Sequence, residues 1–221
     1  MIRGTGIDST VKLYLKGNGA NGSTKFFDDS QSHKTVTVYG NAQISTTQSK
    51  FGGSSIYFDS SENYLDIPGP SLVSSDFYIG FWYYNIQSVK NSVIFKLGTT
   101  EIFTLNIGYG SGSNNLVILV SLDGTSHTIF KSMGTATNNT QVYFAVSRVG
   151  TTYKCYRNGV LISSSVNSGN MPEPTTISYR VGGSYGGIGK SINGYMDDLQ
   201  LIVGAPVASI DLTKVPTRQR G

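Results

Sequence analysis

Gly194-Tyr195-Met196-Asp197-Asp198-Leu199-Gln200-Leu201-Ile202-Val203 is the stretch whose reading decides the fold. A glycine turn feeds a strand. Under strict alternation Tyr195, Asp197, Leu199 and Leu201 share one face, and Met196, Asp198, Gln200 and Ile202 share the other. On that pattern the adjacent carboxylates point to opposite faces and cannot act as a pair. An acidic pair opening an apolar strand needs a reason, because acidic residues are poor strand formers. Two reasons fit: the carboxylates accept backbone N–H groups at the strand end, or they offer oxygens to a structural calcium ion.

Outward from this strand, the chain repeats the same kind of segment. Phe77 to Tyr84 is apolar on both faces, Phe77, Ile79, Phe81 and Tyr83 on one and Tyr78, Gly80, Trp82 and Tyr84 on the other, which marks a central strand buried on both sides. Trp82 in such a strand reads as core rather than as a platform for a sugar. Short apolar segments follow at regular spacing: Val93–Leu97, Phe103–Ile107, Leu116–Val120, Thr128–Phe130, Val142–Arg148 and Thr152–Tyr156. Glycine, asparagine and aspartate separate them, the signature of a sandwich. Asn158-Gly159 predicts a two-residue hairpin, because a type I′ turn needs positive φ twice. Upstream, Val11 to Leu15 alternates as a half-buried strand. Ser55–Phe58 and Tyr64–Ile67 read as a hairpin looped through Asp59 to Asn63, and Ile177–Val181 as a late strand.

Composition agrees. With 221 residues the chain fits one large β domain, and its 27 glycines and 14 tyrosines belong to strands and turns. Charged residues are 14% of the chain, well below the ~25% of an average domain. The net charge of +4 is scattered apart from a basic C-terminus, with no basic stripe interleaved with aromatics, so nucleic acid is not an expected partner. The single cysteine, Cys155, allows no internal disulfide, reads as a small buried hydrophobe, and suits assembly in a reducing cytoplasm. Residues 1–6 lack the apolar core of a signal peptide, and no run reaches the ~20 apolar residues of a membrane helix, so no membrane insertion is expected. Gly189-Lys190-Ser191 ends like a phosphate-binding loop, but residue 184 is serine and a strand, not a helix, follows.

Four motifs carry a resemblance: the organising stretch, Lys50-Phe51-Gly52-Gly53-Ser54-Ser55-Ile56-Tyr57-Phe58-Asp59, Phe77-Tyr78-Ile79-Gly80-Phe81-Trp82-Tyr83, and Tyr156-Arg157-Asn158-Gly159-Val160-Leu161. In their order along the chain they resemble laminin-G-like domains of the concanavalin A type. The resemblance implies an all-β, two-sheet antiparallel jelly-roll sandwich with almost no helix. Residues 1–10 then form an N-terminal arm, 11–203 the jelly roll, and 204–221 a tail that wraps the domain or contacts a partner. It also makes a structural calcium (Ca2+) plausible, with Asp28 or Asp29 brought to Asp197 and Asp198; an Asx-turn at Asp29-Ser30 accounts for that first pair without a metal.

Function is less legible. Only three glutamates are present, Glu62, Glu101 and Glu173, and the family's Glu-x-Asp-x-Glu hydrolase motif is missing, so no enzyme is expected. Tyr109, Tyr179 and Tyr185 lie in or beside glycine- and asparagine-rich segments, where a ring could stack on a glycan or simply pack on the loop base. Single-domain chains of this kind resemble laminin-G-like proteins of tailed bacteriophages. That resemblance implies a virion component (tail, fibre or capsid decoration) assembled in the host cytoplasm. It would contact other virion proteins through its termini, touch cell-surface glycans, and self-associate as a homo-oligomer. The alternative is a free carbohydrate-binding lectin.

Overall fold

The computed structural model describes residues 8–87, 91–98, 102–109, 113–183 and 191–220. Fifteen strands form two antiparallel sheets, and among the described residues the only helical element is a 3-10 turn at Ala205–Ser209. The first sheet has eight strands. In order they are β13 (Val160–Val166), β12 (Thr152–Arg157), β11 (Gln141–Val149), β6 (Phe77–Asn85), β15 (Asn193–Val203), β4 (Ser55–Asp59) and β3 (Gln43–Ser45), with β1 (Val11–Leu15) also paired to β15. The second sheet runs β10 (His127–Thr135), β9 (Asn115–Ser121), β8 (Phe103–Ile107), β7 (Ser92–Leu97), β14 (Ser178–Val181), β5 (Tyr64–Pro68) and β2 (Thr37–Tyr39).

The main core lies between the sheets. Phe77, Ile79, Phe81 and Tyr83 of β6 point into it, and Phe77 meets Phe103 of the opposite sheet edge-on at 5.1 Å between ring centres. Three of the edge strands carry features that discourage pairing with other chains. Both β2 and β3 are three residues long, and β10 shifts register twice against β9. The Asn158-Gly159 turn is as predicted, with φ of 48° and 78°.

One expected hairpin does not form. Although β4 and β5 are consecutive, they lie in different sheets, β4 beside β15 and β5 beside β14. The linking residues turn across the sandwich: Ser60 has φ +66°, and the Asp59 carboxylate accepts the Ser61 N–H at 3.0 Å. Sequence proximity cannot distinguish a hairpin from such a sheet-to-sheet crossing, because both need only a short polar turn.

A second apolar layer covers the outer face of the larger sheet. Val11, Tyr14, Tyr78, Trp82, Tyr143, Ala145, Tyr156 and Ile202 are buried there. The chain leaves β15 through Gly204, whose N–H donates to Asp76 O at 2.8 Å, and lays Val207, Ile210, Leu212 and Val215 across that face. The tail therefore wraps the domain, and β6 is buried on both sides as its two apolar faces require. Val207 is buried and Ile210, Leu212 and Val215 are half-buried, so the tail adds apolar burial and is part of the folded unit.

Candidate functional site

The acidic pair of β15 departs from strict alternation. Register slips by one residue between Asp197, opposite Trp82, and Gln200, opposite Gly80, and Asp198 adopts φ +55°. This β-bulge turns both carboxylates to the outer face, while Met196, Leu199 and Leu201 enter the main core. The bulge lies where the neighbour of β15 changes from β4, which pairs with residues 193–196, to β1, which pairs with 199–202. Asp197 fills that gap: Oδ2 accepts the N–H groups of Lys50 at 2.7 Å and Phe51 at 2.9 Å. Asp198 accepts the Tyr14 hydroxyl on Oδ1 at 2.6 Å and the Gln200 amide on Oδ2 at 3.2 Å.

The tail closes over this pair. The Arg220 N–H donates to the Tyr14 hydroxyl oxygen at 2.9 Å, and Gln219 Nε2 donates to Lys16 O at 3.1 Å. Desolvation is the main reason both carboxyls stand at about 6 rather than in the usual range; mutual repulsion adds to it at Asp197. Raised carboxyl pKa values in a pair are a common mark of catalytic sites. Here both groups are 1% exposed and lie beneath the tail.

These carboxylates do not fit a calcium ion. Asp28 is buried, but Oδ1 accepts the N–H groups of Tyr14 and Ser30, and Oδ2 accepts the Ser30 hydroxyl and the Lys34 N–H. The Lys34 ammonium stands 3.9 Å from the same carboxylate. Asp29 faces Lys16 at 3.8 Å. Hydrogen-bond donors and ammonium groups thus occupy the directions a cation would need. Among the described residues no three His, Cys, Asp or Glu side chains gather in a metal-like group, and Asp28 reaches β1 rather than Asp197. The expected convergence of Asp28 or Asp29 on Asp197 and Asp198 is corrected accordingly. Asp28 caps the turn at residues 28–30 and ties it to β1.

The three tyrosine candidates separate. Tyr179 is fully buried, its ring 5.2 Å from that of Phe95 and its hydroxyl donating to Pro70 O. It is a core residue with no face for a sugar, because β14 is an inner strand of its sheet and position 179 points inward. Tyr185 lies outside the described residues, as do Ser184, Gly189 and Lys190 of the loop compared above with a phosphate-binding loop. Tyr109 is exposed. It follows β8 through Gly108, with φ +72°, and joins two residues of β10. Its ring lies 5.9 Å from His127, edge-on, and 5.5 Å from Phe130. Phe130 is 52% exposed because its neighbour Ile129 takes the inward position. Sequence alternation places Phe130 outward but does not predict that Tyr109 meets it, since β8 and β10 are joined only through β9.

Phe130 ends a row across the outer face of the smaller sheet. Register aligns Asp66, Arg180, Lys96, Thr104, Leu119 and Phe130 on neighbouring strands. Arg180 pairs with Asp66 at 3.5 Å and lies over the Tyr64 ring, on which the half-exposed Tyr39 stacks at 4.5 Å. Lys96, Thr104 and Leu119 in the middle of this row are buried, so the exposed rings of this face are Tyr39 at one end and Tyr109 with Phe130 at the other.

A family profile described as the concanavalin A-like lectin/glucanases superfamily, of the third laminin-G type, matches residues 59–206. The chain belongs to this family. Among solved structures, it is similar to Domain 4 of AbnA, a GH43 extracellular arabinanase from Geobacillus stearothermophilus, in complex with arabinotriose. That match has 15% identity, covers 92% of this chain and 98% of the other, and has a TM-score of 0.62. It is also similar to the binding domain of Paraclostridial Mosquitocidal Protein 1, with 15% identity, 88% and 49% coverage, and a TM-score of 0.65. A third is the binding domain of botulinum neurotoxin DC in complex with SialylT, with 14% identity, 88% and 48% coverage, and a TM-score of 0.62. The chain thus spans about half the length of these two toxin domains. At such identities the likeness is one of fold. No curated protein sequence matches the chain.

Proposed function

We propose that this chain is a non-enzymatic, glycan-contacting module that serves as a structural or accessory component of a virion, in its tail, fibre or decoration. The observation that carries the glycan part is the exposed cluster of Tyr109, His127 and Phe130. Solvent-facing rings beside hydrogen-bonding groups match a sugar, which presents an apolar C–H face and a rim of hydroxyls. Two proteins of the same fold, the arabinanase domain and the botulinum neurotoxin domain, are described in complex with arabinotriose and SialylT, which supports a sugar ligand. The burial beneath the tail of the one raised carboxyl pair among the described residues supports a binding rather than a catalytic role.

A glycan array probed with the full chain and with Tyr109→Ala/Phe130→Ala tests the sugar reading. Loss of the wild-type signals in the double variant, with an unchanged melting temperature, is the expected result; signals that survive it place the binding surface elsewhere. The virion part rests on the sequence resemblance. Stoichiometric copies in purified particles would support it, and recovery only as free soluble protein would sink it.

A further inference from the structure

On the opposite side of the molecule from the Tyr109 cluster, the segment from Lys16 to Asp29 leaves β1, borders β3 and returns. It encloses a groove of about 200 Å³. Leu15, Ile44 and Ile56 form an apolar floor, and Lys16, Asn18, Phe27 and Asp29 form the rim. Phe27 is the feature that the fold does not explain. Phe26 packs against the main core, whereas Phe27 is 70% exposed on the groove. Its ring thus offers an apolar face to solvent at the rim of a preformed groove, next to the polar groups of Asn18 and Asp29.

We propose that this groove is a subsite for one uncharged sugar ring, stacked on Phe27 and hydrogen-bonded by Asp29 and Asn18. Size sets the first limit: the groove is smaller than the ~300–1,000 Å³ of drug-sized sites and takes one ring rather than a chain. Charge sets the second. Lys16 and Asp29 stand 3.8 Å apart and neutralise each other, so the mouth favours neither cations nor anions. The Asp29 carboxylate is partly exposed and keeps further lone pairs for ligand hydroxyls while it stays beside Lys16. Rigidity is the third consideration. Gly22 N–H donates to Ile44 O, Ile44 N–H to Ser23 O and Asp29 N–H to Tyr14 O, each at 2.8 Å, which holds the rim before a ligand arrives. Asn18 is steadied by Gln219 at 3.0 Å, so the tail that covers the outer face also sets one wall of the subsite. Preformed walls reduce the ordering cost that weakens small binding sites.

This inference rests on the glycan reading above but uses a different surface, so the two can fail separately. The experiment is a neutral-glycan array, followed by titration of the strongest neutral hit into wild type, Phe27→Ala, Asp29→Asn and Tyr109→Ala/Phe130→Ala. Melting temperatures confirm folding, and Phe27, being exposed, is safe to truncate. At least tenfold weaker binding in both Phe27→Ala and Asp29→Asn is expected. Full binding in these two variants, with loss only in the Tyr109 double variant, overturns the subsite and keeps the glycan reading. Binding confined to charged glycans overturns the uncharged-ring assignment. No binding to any glycan overturns both.

Discussion

Lowering the pH from 7.5 to 5.0 stabilises this protein if the buried carboxyl pair is assigned correctly. Asp197 and Asp198 each stand at about 6 in the fold. An unfolded chain returns them to about 4. Between these values the folded state binds more protons than the unfolded one, so stability falls as pH rises through 6 and recovers as pH falls toward 4. Each ionised carboxyl held this way costs the fold about 3 kcal/mol. The two protons are taken up by the pair rather than by independent sites, and pH 5.0 lies one unit below 6, so about 1.4 kcal/mol is the expected gain for the first by pH 5.0, with the rest reached only toward pH 4. In a domain of this size 1 kcal/mol moves the melting temperature by about 2–4 °C, which gives a rise of about 3–6 °C. Asp8 and Asp59 are held below the ordinary range, chiefly by hydrogen bonds from neighbouring Thr10, Ser61 and Asn63 groups. Their contribution is complete above about 4 and is lost only below it, outside the window. Thermal melts at constant ionic strength read the effect, and Asp198→Asn isolates it. Asparagine tolerates the left-handed backbone at residue 198 and still accepts the Tyr14 hydroxyl. The variant should be more stable at pH 7.5 and should show a flatter pH profile. A melting temperature that is constant or falls from pH 7.5 to 5.0, or an unchanged slope in Asp198→Asn, would refute the reasoning.

Removing residues 204–221 should open the outer-face cluster that includes Trp82, whose ring is flanked on its other sides by Lys50 and Phe51. As Trp82 is the only tryptophan, its emission should shift to the red, and an unchanged spectrum would argue that the tail does not cover the outer face. Gly80→Ala places a methyl group against the paired hydroxyls of Tyr78 and Tyr143. It should cost about 1–3 kcal/mol in denaturant unfolding, and no loss would mean that the outer face is loosely packed. A chelator should leave the melting temperature unchanged, because the four candidate aspartates already accept protein hydrogen bonds or face ammonium groups. A drop of several degrees, restored by calcium, would overturn that statement.

Much of the architecture is local and therefore legible in the sequence. Period-two alternation, apolar runs of strand length and the Asn158-Gly159 turn follow from backbone geometry and burial, and they define an all-β sandwich with β6 as its central strand. The two apolar faces of β6 even announce that something must cover the outside. What covers it is tertiary: residues 204–220 carry no periodicity, and only the fold packs Val207, Leu212 and Val215 onto the outer-face cluster that holds Trp82 and Tyr156. The same holds for the site. Sequence alternation sets Asp197 and Asp198 on opposite faces; the change of neighbour from β4 to β1 bulges β15 and brings them together. Tyr109 and Tyr179 look alike in sequence, each an aromatic next to glycine or polar residues. One lies past the end of an inner strand and is exposed; the other sits within one and is buried. Local pattern fixes which elements form, because each is set by a few neighbouring residues. Which loop meets which face, and so which polar or aromatic group stays in water, depends on strand partners far apart in the chain, and only the tertiary structure decides it.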